Sequence, residues 1–257
     1  MLEAYIRNQL KKKDILLMTH IVIGYPTLEA SYKIVENMVN AGVDIMELQI
    51  PFSEPIADGP VILKANQESL SKGITVQKCL DFAATVTKKF SIPFLFMSYY
   101  NIIFKYGIKR FADKMVEVGI KGAIVPDLPP EEGKEYIEAM AKNDLDPVFI
   151  FTPTTPDKRM SYIESFGKGL IYCIARRGVT GAQTSFSDQI NDYLLRCRKA
   201  TKLPLALGFG VKDATDIQFL KNKVDIAVIG SETIRLVDNK GIDAIGDFIS
   251  SLNQHTP

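Results

Sequence analysis

Short apolar runs alternate with longer segments of helical period along the whole chain. The runs are ILLMTHIVIG (15–24), DIMELQIP (44–51), PFLFMSY (93–99), GAIVPD (122–127), DPVFIF (146–151), GLIYCIA (169–175), LPLALG (203–208) and DIAVIG (225–230). They are rich in Ile, Val, Leu and Phe, the composition of strands buried on both faces. Between them the spacing predicts helices over 29–41, 76–89, 108–118, 131–143, 157–166, 187–199, 213–221 and 233–252. MLEAYIRNQLKKKD adds an amphipathic helix ahead of the first strand. Asp157 and Asp213 stand where N-caps belong, and Gly42 and Gly119 stand where helices end. Pro130 with Glu131 and Glu132 suits a first helical turn.

Eight strand–helix units with short connections require parallel strands and right-handed crossovers. Eight units close a barrel. The expected fold is therefore an α/β (β/α)8 TIM barrel with an extra N-terminal helix, one domain over residues 1–257. An open doubly wound sheet is the alternative, and the strand count disfavours it. A chain of 257 residues suits such a barrel.

Composition narrows the function without naming it. A hydrophobic fraction of 46% supports a large core, and a formal net charge of +1 with no basic stripe gives no reason to expect nucleic acid or an anionic membrane. Lys11-Lys12-Lys13 reads as a solvated surface run. No apolar run approaches the roughly 18 residues of a membrane span, and the N-terminus lacks a signal-peptide pattern. Cys79, Cys173 and Cys197 are too scattered for a disulfide framework or a CxxC site, and two histidines exclude a His-rich metal centre. The expected compartment is a reduced, cytoplasmic one.

In such barrels the catalytic groups sit at the C-terminal strand ends and in the βα loops. In strand two, period-2 alternation puts Met46, Leu48 and Ile50 on one face and Glu47 and Gln49 on the other. The apolar face belongs under the helices, so Glu47 points into the barrel. A buried carboxylate without a partner has its pKa raised. The functional reading of Glu47 is a general acid–base, and the alternative is a structural acid satisfied by a neighbour. The following loop, PFSEPIADGP (51–60), carries Glu54 and Asp58. Two carboxylates near one pocket can divide acid–base labour when their surroundings separate their pKa values.

Glycine-bearing turns follow strands six, seven and eight: ARRGVTGAQ (175–183), Gly208-Phe209-Gly210 and Gly230-Ser231. Glycine lets backbone N–H groups approach a phosphate closely, and a barrel phosphate site is expected after strands seven and eight. The turns match neither GxGxxG nor GxxxxGK[ST]. No GxSxG or HExxH occurs. His20 reads as pocket lining or satisfied core, and Cys173 as strand core. Tyr99, Tyr100 and Tyr172 either line an aromatic-binding pocket or pack.

The string Glu47-Leu48-x-Ile50-Pro51-Phe52-Ser53-x-Pro55-x-Ala57-Asp58-Gly59-Pro60 resembles the signature of the tryptophan synthase alpha subunit family. So do Met97-x-Tyr99-Tyr100-Asn101, Val125-Pro126-Asp127-Leu128-Pro129, Arg176-x-Gly178-Val179-Thr180-Gly181, Gly208-Phe209-Gly210-Val211 and Gly230-Ser231. The match runs in order from about residue 15 to residue 235.

The resemblance implies a lyase that cleaves indole-3-glycerol phosphate by a retro-aldol step, giving indole and glyceraldehyde 3-phosphate without metal or organic cofactor. It assigns Glu47 to proton transfer and Asp58 to the indole N–H. Tyr172 would position the substrate. Gly181, Gly210, Gly230 and Ser231 would hold the phosphate, and Thr180 would help close the site over Asp58. The implied partner is a pyridoxal-phosphate-dependent beta subunit that receives the indole in an alpha2-beta2 assembly, with loop 51–60 in the contact.

The chain departs from the family pattern at three positions. Gln49 stands where Gly is usual, Glu54 where the loop reads PFSDP, and His20 where an aromatic or apolar residue is usual. Two alternatives follow: a catalytically weak subunit acting mainly as an allosteric activator of beta, and a different phosphate-binding barrel enzyme.

Overall fold

The computed structural model describes residues 1–175, 186–208 and 210–256. Its strands are β1 (Leu16–Val22), β2 (Ile45–Gln49), β3 (Phe94–Met97), β4 (Gly122–Ile124), β5 (Asp146–Phe151), β6 (Ile171–Ile174), β7 (Leu205–Gly208) and β8 (Ile226–Ile229). Each pairs in parallel with the next, and β8 returns to β1 to close the barrel. All eight expected strands are present, and the open-sheet alternative is excluded.

Helix α1 (Leu2–Gln9) precedes β1. The outer layer holds α2 (Leu28–Asn40), α3 (Pro60–Ser71), α4 (Val76–Lys89), α5 (Tyr100–Tyr106), α6 (Ile108–Glu117) and α7 (Lys134–Lys142). It continues with α8 (Asp157–Glu164), α9 (Phe186–Ala200), α10 (Ala214–Leu220), α11 (Ser231–Lys240) and α12 (Ala244–Asn253).

The strands are apolar on both faces because each face has its own core. Met46, Leu48, Phe94, Phe96, Leu205 and Leu207 pack outward among the helices. Leu16, Met18, Ile45, Leu95, Ile124 and Val228 fill the barrel interior. Helix α1 adds Leu2 and Ile6 to that inner cluster, and the Leu2 amide donates to Asp146 Oδ2 at 3.2 Å. The extra N-terminal helix thus plugs the end of the barrel where the strands begin.

Several boundaries differ from the expected ones. Asp213 caps α10, accepting from the Thr215 and Asp216 amides. Asp157 lies one residue inside α8, whose N-cap is Pro156. Pro130, Glu131 and Glu132 form turns in which Gly133 donates to Pro130 O, and α7 begins only at Lys134. The segment expected as one helix over 233–252 is two. Gly241, at φ +84°, terminates α11, a conformation that L side chains rarely adopt. Helices α3 and α5 are additional. Pro60 at the first position of α3 is the signal for its start.

A buried carboxylate ties the chain ends to the barrel. Asp44 accepts from Lys13 Nζ at 2.9 and 3.0 Å and from the Leu17 amide at 2.9 Å. Lys13 also reaches Asn253 Oδ1 at 3.0 Å, near the C-terminus. Asp44→Ala leaves Lys13 and the Leu17 amide without this acceptor. The expected loss of unfolding free energy is about 3 kcal/mol, measured by urea denaturation.

Candidate active site

The pairing of β1 with β2 sets the site. It places His20 directly opposite Glu47 and Val22 opposite Gln49. His20, Glu47 and Gln49 are all buried, at 4%, 3% and 0% exposure, in a barrel interior that is mostly apolar. Polar groups so placed need partners. They find them in one another and in the loop that follows β2.

His20 Nδ1 lies 3.2 Å from Glu47 Oε1, and its Nε2 lies 2.9 Å from Gln49 Oε1. The other end of the Gln49 amide donates to Asp58 Oδ2 at 2.7 Å. Tyr99 Oη donates to the same oxygen at 3.1 Å, while the Ala57 amide donates to Tyr99 Oη at 3.1 Å. A continuous polar line therefore joins Glu47 to Asp58 through His20 and Gln49. Glu47 Oε2 has no hydrogen-bond partner among the described residues.

Loop 51–60 is held from both sides. The Phe52 amide donates to Asn66 Oδ1 at 2.9 Å, and the Phe52 ring stacks on Tyr99 with centroids 5.1 Å apart. The structure separates the two acids of this loop. Glu54 is exposed and bonded to the adjacent Ser53 hydroxyl, whereas Asp58 is drawn into the site.

Burial pushes the Asp58 carboxyl above its ordinary value. His20, Gln49 and Tyr99 oppose that shift and the Glu47 charge adds to it. His20 is also raised. Burial works against its charged form, but Glu47, Asp58 and Gln49 together outweigh it. The Tyr172 phenol is raised well above its ordinary value, first by burial and then by the Glu47 and Asp58 charges, so it remains a neutral hydroxyl.

Glu47, Asp58, Tyr172, Gly210, Gly230 and Ser231 line one cavity of about 190 Å³ with His20. Its apolar walls come from Ile62, Met97, Ile124, Ile150 and Val228. Six of the eight expected site residues thus meet at the C-terminal mouth. Thr180 and Gly181 lie outside the described residues. Gly210 has φ +81°, and no described atom lies within 4 Å of where a Cβ would stand, so backbone conformation selects glycine there. Gly208 has a different reason. A side chain there would stand 3.0 Å from the Tyr172 hydroxyl, so the missing Cβ makes room for that ring.

Sequence reasoning missed Tyr99 as the support of Asp58, and Asn66 as the anchor of loop 51–60. Adjacency of Tyr99 to the strand end was the available signal. Asn66 gave none, because α3 was not expected. Asp127, carried only within a motif, accepts from the Tyr100 amide at 2.8 Å and so holds the start of α5.

The family model described as tryptophan synthase alpha chain matches residues 6–252. The chain belongs to that family. It is 61% identical over 252 residues to the tryptophan synthase alpha chain of Desulforapulum autotrophicum, covering 98% of this chain and all of that one. Identity and coverage are the same for the protein of Syntrophotalea carbinolica. The crystal structure of tryptophan synthase subunit alpha from Legionella pneumophila superposes with a TM-score of 0.89 at 28% identity, over 99% of this chain and 97% of that one. The family's members are lyases that cleave indole-3-glycerol phosphate in tryptophan biosynthesis, and the family partners with a beta subunit. A different phosphate-binding barrel enzyme is thereby excluded, and a subunit kept only as an activator is disfavoured.

Tyr99→Phe removes one of the two bonds to Asp58 Oδ2. Because that bond lowers the Asp58 pKa, its loss is expected to move the carboxyl titration further upward. The expected stability cost is about 1 kcal/mol. Carbon-13 NMR of the Asp58 carboxyl against pH, with thermal denaturation, measures both.

Proposed function

We propose that this cavity cleaves indole-3-glycerol phosphate to indole and glyceraldehyde 3-phosphate, with Glu47 moving the proton. The observation that carries the reading is Glu47 Oε2, a buried carboxylate oxygen without a partner among the described residues, in a cavity that also receives Asp58. The apolar walls suit a flat indole ring. Indole C3 takes up a proton, and the ring becomes an iminium whose N1–H faces Asp58. The hydroxyl on the adjoining glycerol carbon loses its proton and becomes a carbonyl. The bond from that carbon to C3 breaks, and its electron pair returns to the ring. One proton enters at C3 and one leaves the hydroxyl, so a single carboxylate within reach of both can carry the transfer.

Asp58 is suited to the positive charge that develops on the ring, because its hydrogen bonds fall on Oδ2 and Oδ1 accepts none from the described residues. The Tyr172 hydroxyl positions the substrate. Gly210, Gly230 and the Ser231 N-terminus of α11 supply backbone N–H groups for the phosphate, where the helix dipole favours an anion. Gly181 and Thr180 complete the phosphate site and its closure in this proposal. The chemistry needs no metal or organic cofactor.

Glu47→Gln is expected to lower indole release from indole-3-glycerol phosphate by about a hundredfold to ten-thousandfold. Asp58→Asn falls in the same direction. Steady-state indole assays, with and without a beta subunit, check both. Wild-type release no greater than that of Glu47→Gln in either condition rejects the lyase reading.

We also propose an alpha2-beta2 assembly in which the barrel mouth docks on the beta subunit. Ile56 in loop 51–60 and Phe104 in α5 are 79% and 64% exposed, large apolar side chains on segments that leave the same rim. Large apolar side chains exposed together at one rim suit the apolar core of an interface. Ile56→Glu is expected to weaken beta binding at least about tenfold while leaving the isolated chain folded, as titration calorimetry reads.

The reading extends to organisation and compartment. One domain is supported by the Asp14 amide donating to Thr256 O at 2.8 Å, which joins the two chain ends. Three unpaired, buried thiols suit the cytoplasm. Among the described residues no helix is long and apolar enough to cross a membrane.

A further inference from the structure

The hydrogens of the polar line can be placed from one fixed end. The Ala57 amide is an obligatory donor, and it points at Tyr99 Oη. The phenolic hydrogen is therefore free to point at Asp58 Oδ2, which the Gln49 amide nitrogen also meets. Two donors converging on one oxygen make Asp58 Oδ2 an acceptor. With the Gln49 nitrogen committed to Asp58, its carbonyl oxygen must be the end that faces His20. A carbonyl only accepts, so His20 Nε2 carries a hydrogen.

That leaves the 3.2 Å contact between His20 Nδ1 and Glu47 Oε1. Two lone pairs facing each other there would repel, in a site where neither group is more than 5% exposed. One proton between them turns the contact into a charge-assisted hydrogen bond. Resting on the reading of Glu47 as the proton carrier, we propose that His20 shares one proton with Glu47 and is the positioning residue that presents Glu47 Oε2 to substrate. Gln49 is the part that makes this obligatory, since it denies His20 the other ring tautomer.

The consequence for the reaction is a division between the two carboxylate oxygens. Oε1 is occupied by the shared proton. Oε2 is the oxygen through which a proton passes between the substrate hydroxyl and C3, and the dyad ends the cycle with the single proton it began with. Titratable and charged groups facing His20 are Glu47 from β2 and Asp58 from the following loop; Tyr172 from β6 joins them at the cavity. On the side of α11, the His20 backbone carbonyl meets only the Thr233 hydroxyl.

The chain has two histidines, His20 and His255, so nitrogen-15 NMR of the histidine-labelled full chain resolves each ring. The expected His20 signature is Nε2 protonated at every pH, with Nδ1 losing its proton only above the ordinary histidine value of about 6.5. In Glu47→Gln the ring is expected to titrate at lower pH, and in Gln49→Gly both neutral tautomers are expected. A wild-type ring that titrates at its ordinary value with mixed tautomers overturns the proposal.

Activity supplies the second arm. Wild-type kcat should show an alkaline limb where the shared proton is lost. His20→Phe is expected to lower kcat by about tenfold to a hundredfold and to erase that limb. A lower kcat with the limb unchanged means a packing role alone, and also overturns the proposal. The ring spectra need no turnover, so failure of the lyase reading and failure of the shared proton are separately visible.

Discussion

Glu47 is a carboxylate inside a barrel whose interior is largely apolar, and the arrangement of the mouth follows from that constraint. A charge taken out of water must be met by partners, or the group neutralises. The β1–β2 register brings His20 directly across from Glu47. A buried imidazole then needs an acceptor of its own, which is Gln49; the Gln49 amide needs an acceptor in turn, which is Asp58. Each polar group creates the demand that the next one satisfies, and the line ends on a backbone amide of loop 51–60. The position of loop 51–60 and the Glu47 carboxylate are therefore linked through hydrogen bonds.

The same barrel keeps stability and chemistry at opposite ends. Where the strands begin, α1 plugs the interior with Leu2 and Ile6, while Lys13 and Asp44 tie β2 to the C-terminal region. Where the strands end, the interior opens into the cavity, and Glu47 Oε2 has no partner among the described residues. A well-packed core tolerates few such atoms. This one sits in the only layer where a ligand can reach it from the βα loops.

The barrel was legible because eight strands apolar on both faces alternate with helices, and the count of eight favours a closed barrel over an open sheet. Glu47 was legible as a charge interrupting such a strand. Asp58 was legible only through the motif resemblance, since loop composition alone does not distinguish it from Glu54. Burial separates them: Glu54 is exposed and Asp58 is held by two donors. Asn66 and Tyr99 were not legible as supports because their partners are 14 and 41 residues away. Sequence periodicity carries no information about such pairings. The split at Gly241 was missed because the apolar pattern continues through it, although the backbone does not.

His20 and Gln49 were noted separately as departures from the family pattern, and the structure makes them one feature. Gln49 without His20 would bury a carbonyl oxygen with no donor. His20 without Gln49 would bury an Nε2 hydrogen with no acceptor. Either state costs about 1–3 kcal/mol, the penalty for an unmatched buried polar group. With both present, every atom on the line between Glu47 Oε1 and Asp58 Oδ2 is matched. The pair does not displace either carboxylate from the cavity, and Glu47 keeps one oxygen free for a ligand. Substitutions that first look like damage beside the proposed catalytic acid are therefore better understood as a way to hold that acid in place.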